Sequence, residues 1–407
     1  MKDWRKYTAQ EFCLNVTDGT HDSPKPTEVG HYLITSKHLQ NNAIDFSSAY
    51  KISEEDYQKV IKRSAVVQHD ILFSMIGTIG NTVRVKDPII NYAVKNMAIF
   101  KMGYDELKSK WLYYWLKSSK AKEYISSRLA GSTQSYLTLE TLRTFPVFAP
   151  SENEMQKIVS ILSSIDDKIE LNRQINDNLE QQAKALYKSW FVDFEPFKDG
   201  DFIESEIGEI PAGWSIVKFR DISETPKKTI NPQKFLDTTF CHYSLPACDN
   251  GLIPEIQTGK DIMSNKIILQ NNTTLFSKLN PRIKRIWFTG EVLPNSICST
   301  EFIPFRAKYD TESSYIFSIV NSDAFYATVM GCVNGATGSH QRFHAEDTED
   351  FLCPYNKDVV NEFSKLVEPI LSQIHDLRHE NVMLASTRDA LLPKLMSGEL
   401  KINEIDC

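Results

Sequence analysis

The stretch Ser151–Phe197 constrains this chain more than any other. Residues recur along it in steps of four and three: Ile158, Leu162, Ile165, Ile169, Asn172, Asn176, Leu179, Ala183, Leu186 and Trp190. A seam of about 3.5 residues sustained over about four heptads predicts a coiled-coil helix rather than an ordinary amphipathic one. Ser151 and Glu154 stand at capping-box spacing directly after Pro150, and Glu195-Pro196 marks the stop. At 1.5 Å per residue such a helix runs roughly 60 Å. Two asparagines on an otherwise apolar seam select one register with one partner helix. The sequence therefore poses the question of which helix that partner is.

An internal repeat answers it. Residues 1–150 read as a mixed α/β domain, with Ile71-Leu72-Phe73, Val83-Arg84-Val85 and Met97-Ala98-Ile99-Phe100 as strands between turn residues. Residues 107–130 read as helix with an aromatic face of Trp111, Tyr114 and Trp115, followed by the loop Gly131-Ser132-Thr133-Gln134-Ser135. The second half repeats this order. Trp214 opens it as Trp4 opens the first, and Leu275-Phe276-Ser277 echoes Leu72-Phe73-Ser74. At a shift of 204, Gly335-Ala336-Thr337 falls on Gly131-Ser132-Thr133 and Pro354 on Pro150. At a shift of 205, Ile370, Ile374, Leu377, Asn381, Leu384 and Leu391 fall on the first seam, with Asn381 on Asn176. Pro369 is expected to start or kink this second helix and Pro393 to end it, while Arg388 interrupts the seam at the place of Ala183.

The expected fold class is therefore α+β: two similar mixed domains separated by two long helices that form an antiparallel intramolecular coiled coil with pseudo-two-fold symmetry. The expected boundaries are 1–150 for the first domain, 151–197 for the first helix, 198–354 for linker and second domain, and 355–407 for the second helix and tail. Two similar readers held in inverted orientation match the geometry needed for two DNA half-sites.

Charge fits this once it is divided. The net charge of −7 looks wrong for a nucleic-acid binder. Residues 1–150, however, carry 20 Lys and Arg against 15 Asp and Glu, whereas residues 151–213 carry 6 against 14. Local charge governs contact with phosphates. The seven cysteines are scattered without a C-x-x-C pair, which fits a reducing cytoplasm. No apolar run reaches about 18 residues and Met1-Lys2-Asp3-Trp4 is no signal peptide, so neither membrane span nor export is expected.

Motifs for chemistry are missing. Asn231-Pro232 and Asn280-Pro281 lack the second proline of an adenine methyltransferase motif, no G-x-G-x-x-G occurs, and Gly259-Lys260-Asp261 breaks the P-loop pattern. Glu106-Leu107-Lys108 has a nuclease-like spacing, but it sits where a helix start is expected to collect acidic residues. Among His21, His31, His38, His340 and His344, only the last two stand at i, i+4, in a Gly-rich loop without a neighbouring glutamate. No catalytic residue and no metal site is expected. Base and phosphate contacts draw on Lys, Arg, His and small polar residues in loops. These criteria select Thr20, His21, Lys25, Ser36, Lys37 and Arg84 in the first half. In the second half they select Lys278, Arg282, Lys284 and Arg285 from one basic run, with Ser339, His340 and Arg342 beyond it.

Four stretches resemble the specificity (S) subunit of type I restriction–modification enzymes. They are Ala149-Pro150-Ser151-Glu152-Asn153-Glu154-Met155-Gln156-Lys157-Ile158, Lys188-Ser189-Trp190-Phe191-Val192-Asp193-Phe194-Glu195-Pro196, Ile207-Gly208-Glu209-Ile210-Pro211-Ala212-Gly213-Trp214, and Leu391-Leu392-Pro393-Lys394-Leu395-Met396-Ser397-Gly398-Glu399-Leu400. Asp18-Gly19-Thr20-His21 and Ile76-Gly77-Thr78-Ile79-Gly80-Asn81 resemble motifs of its target-recognition domains. The resemblance implies a non-catalytic reader of a bipartite double-stranded DNA target. Its helices would set the spacer and dock two methyltransferase (M) subunits, with restriction (R) subunits added. S-adenosylmethionine, ATP and Mg would then sit on those partners, with no cofactor in this chain. The alternative is a bipartite coiled-coil scaffold that never reads DNA.

Overall fold

The computed structural model describes residues 4–40, 42–131, 135–333 and 341–401. The chain divides into two compact units, 1–167 with 384–407, and 168–383.

In the first unit a four-stranded antiparallel sheet runs in the order Asn15–Asp18, Met97–Lys101, Ile71–Ser74, Thr82–Arg84. The three central runs expected from sequence are these strands, and Ile71, Leu72, Phe73, Ile99 and Phe100 are wholly buried. A second sheet sets His31–Ile34 parallel to Tyr92–Val94 and antiparallel to Lys51–Ile52. The predicted helix over 107–130 is two helices, Glu106–Lys117 and Ser119–Ser127. Ser118 divides them because its hydroxyl accepts from the Ala121 N–H at 3.3 Å and caps the second. Trp111 and Trp115 donate their indole N–H groups to the carbonyls of Phe148 and Pro146, tying the pair to strand Pro146–Ala149.

The second unit repeats this topology. Its four-stranded sheet runs Ser223–Glu224, Phe302–Ala307, Thr274–Ser277, Ile286–Phe288, strand for strand the counterpart of the first. Thr239–Tyr243 lies parallel to Ser296–Ser299, as His31–Ile34 does to Tyr92–Val94. Helices Ser313–Asn321 and Asp323–Cys332 repeat the helix pair, with Ser322 capping the second as Ser118 does. The second unit adds Thr229–Ile230 and Lys266–Ile268, which widen its parallel-containing sheet to five strands.

Two long helices, Glu152–Phe191 and Lys357–Ser397, each contribute to both units. Ser151 Oγ accepts from the Glu154 N–H, the cap expected from sequence. The first helix stops at Phe191. Phe194 takes a left-handed conformation, φ 52°, and a short 3-10 turn Glu195–Phe197 follows. Within the first unit, Met155, Ile158, Val159 and Leu162 share one core with Leu392, Leu395 and Met396. Within the second, Ala183, Tyr187 and Phe191 share one with Val360, Phe363, Val367, Leu371 and Ile374. In each unit the two helices run antiparallel. The 3.5-residue seam is buried at Ile158, Leu162, Ile169, Asn172, Asn176 and Ala183. Beyond Ala183 burial passes to Tyr187 and Phe191, while Leu186 and Trp190 are only half-buried. The aromatic core of the second unit, with Trp214, Tyr315 and Phe363 against those rings, pulls the buried face round.

Pro369 does not start the second helix and Pro393 does not end it. The second helix starts at Lys357, where Asn356 Oδ1 accepts from the N–H groups of Asp358 and Val359, and it runs through Pro369. It also runs through Pro393 to Ser397, and Gly398 at φ 68° closes it. An interior proline costs about 3 kcal/mol. Val360, Phe363 and Val367 before Pro369, and Leu395 after Pro393, are wholly buried, and each such side chain contributes roughly 1.5–3 kcal/mol. Packing outweighs propensity.

Candidate nucleic-acid interface

Asp18-Gly19-Thr20-His21 leaves the edge of the four-stranded sheet and lies against the turn that joins Tyr92–Val94 to Met97–Lys101. Gly19 N–H donates to Met97 O at 2.8 Å, Thr20 N–H to Val94 O at 3.0 Å, and Asn96 N–H returns to Thr20 O at 3.1 Å. The approach is so close that a Cβ on Gly19 would lie 2.4 Å from Val94 O, so the glycine is required by space. Thr20 is buried, and its Oγ1 accepts from the Asp22 N–H.

Asp18 organises what projects from this loop. Its side chain is 9% exposed. One oxygen accepts from Arg63 Nη2 at 2.5 Å and the other meets His21 Nε2 at 2.9 Å. The other imidazole nitrogen of His21 lies 2.9 Å from Asn96 Oδ1, and Asn96 sits at φ 53° in the turn. His21 and Arg63 side chains remain 66% and 62% exposed. A buried carboxylate thus fixes two exposed side chains, and Lys95 beside them contacts Ser23 Oγ. Arg63, Asn96 and Lys95 escape sequence reasoning because their partners lie 45 to 75 positions away.

The other first-half candidates are placed apart from this group or turned inward. Lys25 is exposed in the segment after His21, and Ser36 and Lys37 form a 3-10 turn against Thr78. The Arg84 side chain is only 12% exposed, 3.1 Å from His69 and 3.9 Å from Glu106. Glu106-Leu107-Lys108 is structural: Asp105 caps the helix by accepting from the Lys108 N–H, and Glu106 pairs with Lys110.

In the second unit the equivalent turn, between Ser296–Ser299 and Phe302–Ala307, carries Glu301. Its two oxygens take both prongs of Arg342 at 3.1 Å. Arg342 therefore meets the second-half turn as His21 meets the first-half one. Leu279 bridges to Arg342, and Asn280, at φ 55°, donates its N–H to Gln341 O, which brings the start of the basic run to the same place. Within the run the cations differ. Arg285 is held by both oxygens of Asp249 and its pKa is raised by that hydrogen bond. Lys284 donates to Asn321 O and lies over the Tyr326 ring, and burial lowers its pKa. Lys278 is half-buried and Arg282 exposed. Ser339 and His340, and with them the His340–His344 spacing, lie outside the described residues. Among the described residues no three His, Cys, Asp or Glu side chains gather as metal ligands, and no helix is long and apolar enough to cross a membrane.

On the helices, Asn381 meets Asn172. Asn172 is fully buried and donates its amide to Asn381 Oδ1 at 3.0 Å and to Glu380 Oε2 at 2.7 Å. Asn176 is buried one turn on, and its Oδ1 has no partner among the described residues. Arg388 reaches Asp166 at 2.7 Å in the first unit, and Asp166 also accepts from the buried Tyr114 hydroxyl.

Residues 1–181 match the family described as type I restriction modification DNA specificity domain. The type I restriction enzyme MjaIX specificity subunit of Methanocaldococcus jannaschii is 28% identical over 350 residues, covering 82% of this chain and 78% of its own. The chain is thus similar to the specificity subunits of type I restriction–modification systems, through a matched domain in its first half and relatives along most of its length. The HindI specificity subunit of Haemophilus influenzae is 22% identical and covers 98% of this chain and all of its own. The crystal structure of the S subunit from M. genitalium shares the fold, with a TM-score of 0.52 at 16% identity over 97% of this chain and 96% of that one. The matched domain is described by DNA specificity, and the relatives are named as specificity subunits.

Proposed function

We propose that the chain reads a split, asymmetric DNA duplex target, one part with residues 1–150 and the other with residues 198–354. Residues 151–197 and 355–407 then serve as the spacer that fixes the gap and dock two methyltransferase subunits, with restriction subunits joining the assembly in the cytoplasm. S-adenosylmethionine, ATP and Mg belong to those partners. The observation that carries this reading is one topology built twice, each copy placing a candidate contact side chain at the same turn: His21 at Asn96, Arg342 at Glu301.

Within that reading, the contacts are His21, Lys25, Ser36, Lys37 and Arg63 in the first half. In the second they are Lys278, Arg282, Ser339, His340 and Arg342. Thr20 shapes the loop. Arg84, Lys284 and Arg285 must first leave their present partners.

The test is a footprint of the chain, bound to its adenine methyltransferase, on duplexes carrying the methylated site. Two protected segments separated by an unprotected or sequence-indifferent gap are expected. Arg63→Ala is expected to relax base preference in one segment only, with a loss of about 1–3 kcal/mol, while Lys25→Ala should lower the salt slope by about one without changing preference. A single continuous protected segment would refute the two-reader scheme.

A further inference from the structure

The second long helix carries a histidine pair that the DNA reading does not use. His375 and His379 are one turn apart, and residues at that spacing share a helix face. Their Nε2 atoms face each other at 3.1 Å, with ring centroids 4.4 Å apart and planes tilted by 49°. His375 Nδ1 lies 3.5 Å from Asp376 Oδ1, and a Cβ added at Gly290 would come within 3.8 Å of the same ring's Cδ2. His375 is about one-third exposed and His379 is exposed, so the gap between the nitrogens opens to solvent.

Two imidazole nitrogens this close either share one proton or converge on one cation. We infer that His375 and His379 form a two-point chelate for a borderline divalent transition ion of the zinc, nickel or copper class. With metal–nitrogen bonds of about 2.0–2.1 Å, the observed separation subtends roughly 100° at the ion, between square-planar and tetrahedral angles. Imidazole donors select this class over magnesium and calcium, which take oxygen ligands. Asp376 stands where a carboxylate beside Nδ1 keeps Nε2 free to ligate. No third His, Cys, Asp or Glu joins the pair among the described residues. The remaining coordination positions are therefore open to water or to a ligand from another molecule. Because the ion bridges successive turns, it also stiffens the helix.

The test uses the tag-free full chain and Ni2+ alone, titrated by calorimetry beside His375→Gln and His379→Gln. One ion per chain is expected. Either substitution should weaken it by a factor on the order of ten or more, since a chelate becomes a single imidazole. Both positions are at the helix surface and glutamine is a good helix former, so metal-free melting should be unchanged. Copper loaded onto the unaltered chain gives a second reading that needs no variant: electron spin resonance should show coupling to two imidazole nitrogens. Equal Ni2+ affinity in wild type and both variants overturns the site, and so does coupling to one nitrogen only.

Discussion

Asn172 and Asn176 show how one residue type takes two roles on one seam. Asn172 spends its amide N–H groups on Asn381 and Glu380, while its own Oδ1 and that of the buried Asn176 have no partner among the described residues. Asn176→Leu should therefore stabilise the chain by about 1 kcal/mol, and Asn381→Leu should destabilise it by a similar amount by stripping an acceptor from a buried amide. Thermal melts of the two variants should move in opposite directions, and parallel shifts would contradict the assignment. The sequence marked both asparagines as seam residues. It placed Asn381 on Asn176 by repeat, but pairing across helices depends on how the connecting domains set the register. Lys117 is a second case. It contacts Tyr113 and Asn42, and burial, opposed by Asp166 and reinforced by Arg388, lowers its pKa to about 8 from an ordinary 10.5. The native state then holds fewer protons than the unfolded chain between those values, so stability rises with pH across that window. Lys117→Met should stabilise at pH 7 by no more than about 3 kcal/mol at 1.36 per pKa unit. That gain should fade as pH rises from 8 to 10.5, and a gain as large at pH 10 as at pH 7 would show that burial is not its cause.

At the scale of elements, the helices and central strands were legible because their periodicities are long or their apolar runs continuous. Ser151 as a cap and the strands around Leu72 and Ile99 follow from local pattern alone. Pro369 as a start and Pro393 as a stop misled because propensity is local and the burial of Val360, Phe363, Val367 and Leu395 is not. The chain past Ala183 misled for the same reason, since tertiary aromatics chose Tyr187 over Leu186. His375-x-x-x-His379 was readable as a spacing, but the facing nitrogens and Gly290 were not. The proposed spacer role makes a prediction at this scale. Seven residues inserted into each long helix add about 10 Å at 1.5 Å per residue, close to three base pairs at a 3.4 Å rise. The gap in the methylated motif should lengthen by about that amount, and an unchanged gap would remove the helices from that role.

For the molecule as a whole, the tandem repeat is the feature that sequence and structure share most fully. Echoes such as Leu275-Phe276-Ser277 on Leu72-Phe73-Ser74 become strands in equivalent positions of two sheets with one strand order. The candidate interface was legible only as residue types in loops. Asp18 holding Arg63 and His21, and Glu301 holding Arg342, join positions 45, 3 and 41 apart, and only His21 lies near its partner in sequence. The scaffold alternative predicts no dependence of methylation on the first half. The most direct test replaces residues 1–150 with the corresponding segment of a related specificity subunit and maps adenine methylation across the genome. One part of a split motif should change while the other part and the gap stay as they were. A motif that changes in both parts, or in neither, would contradict the account.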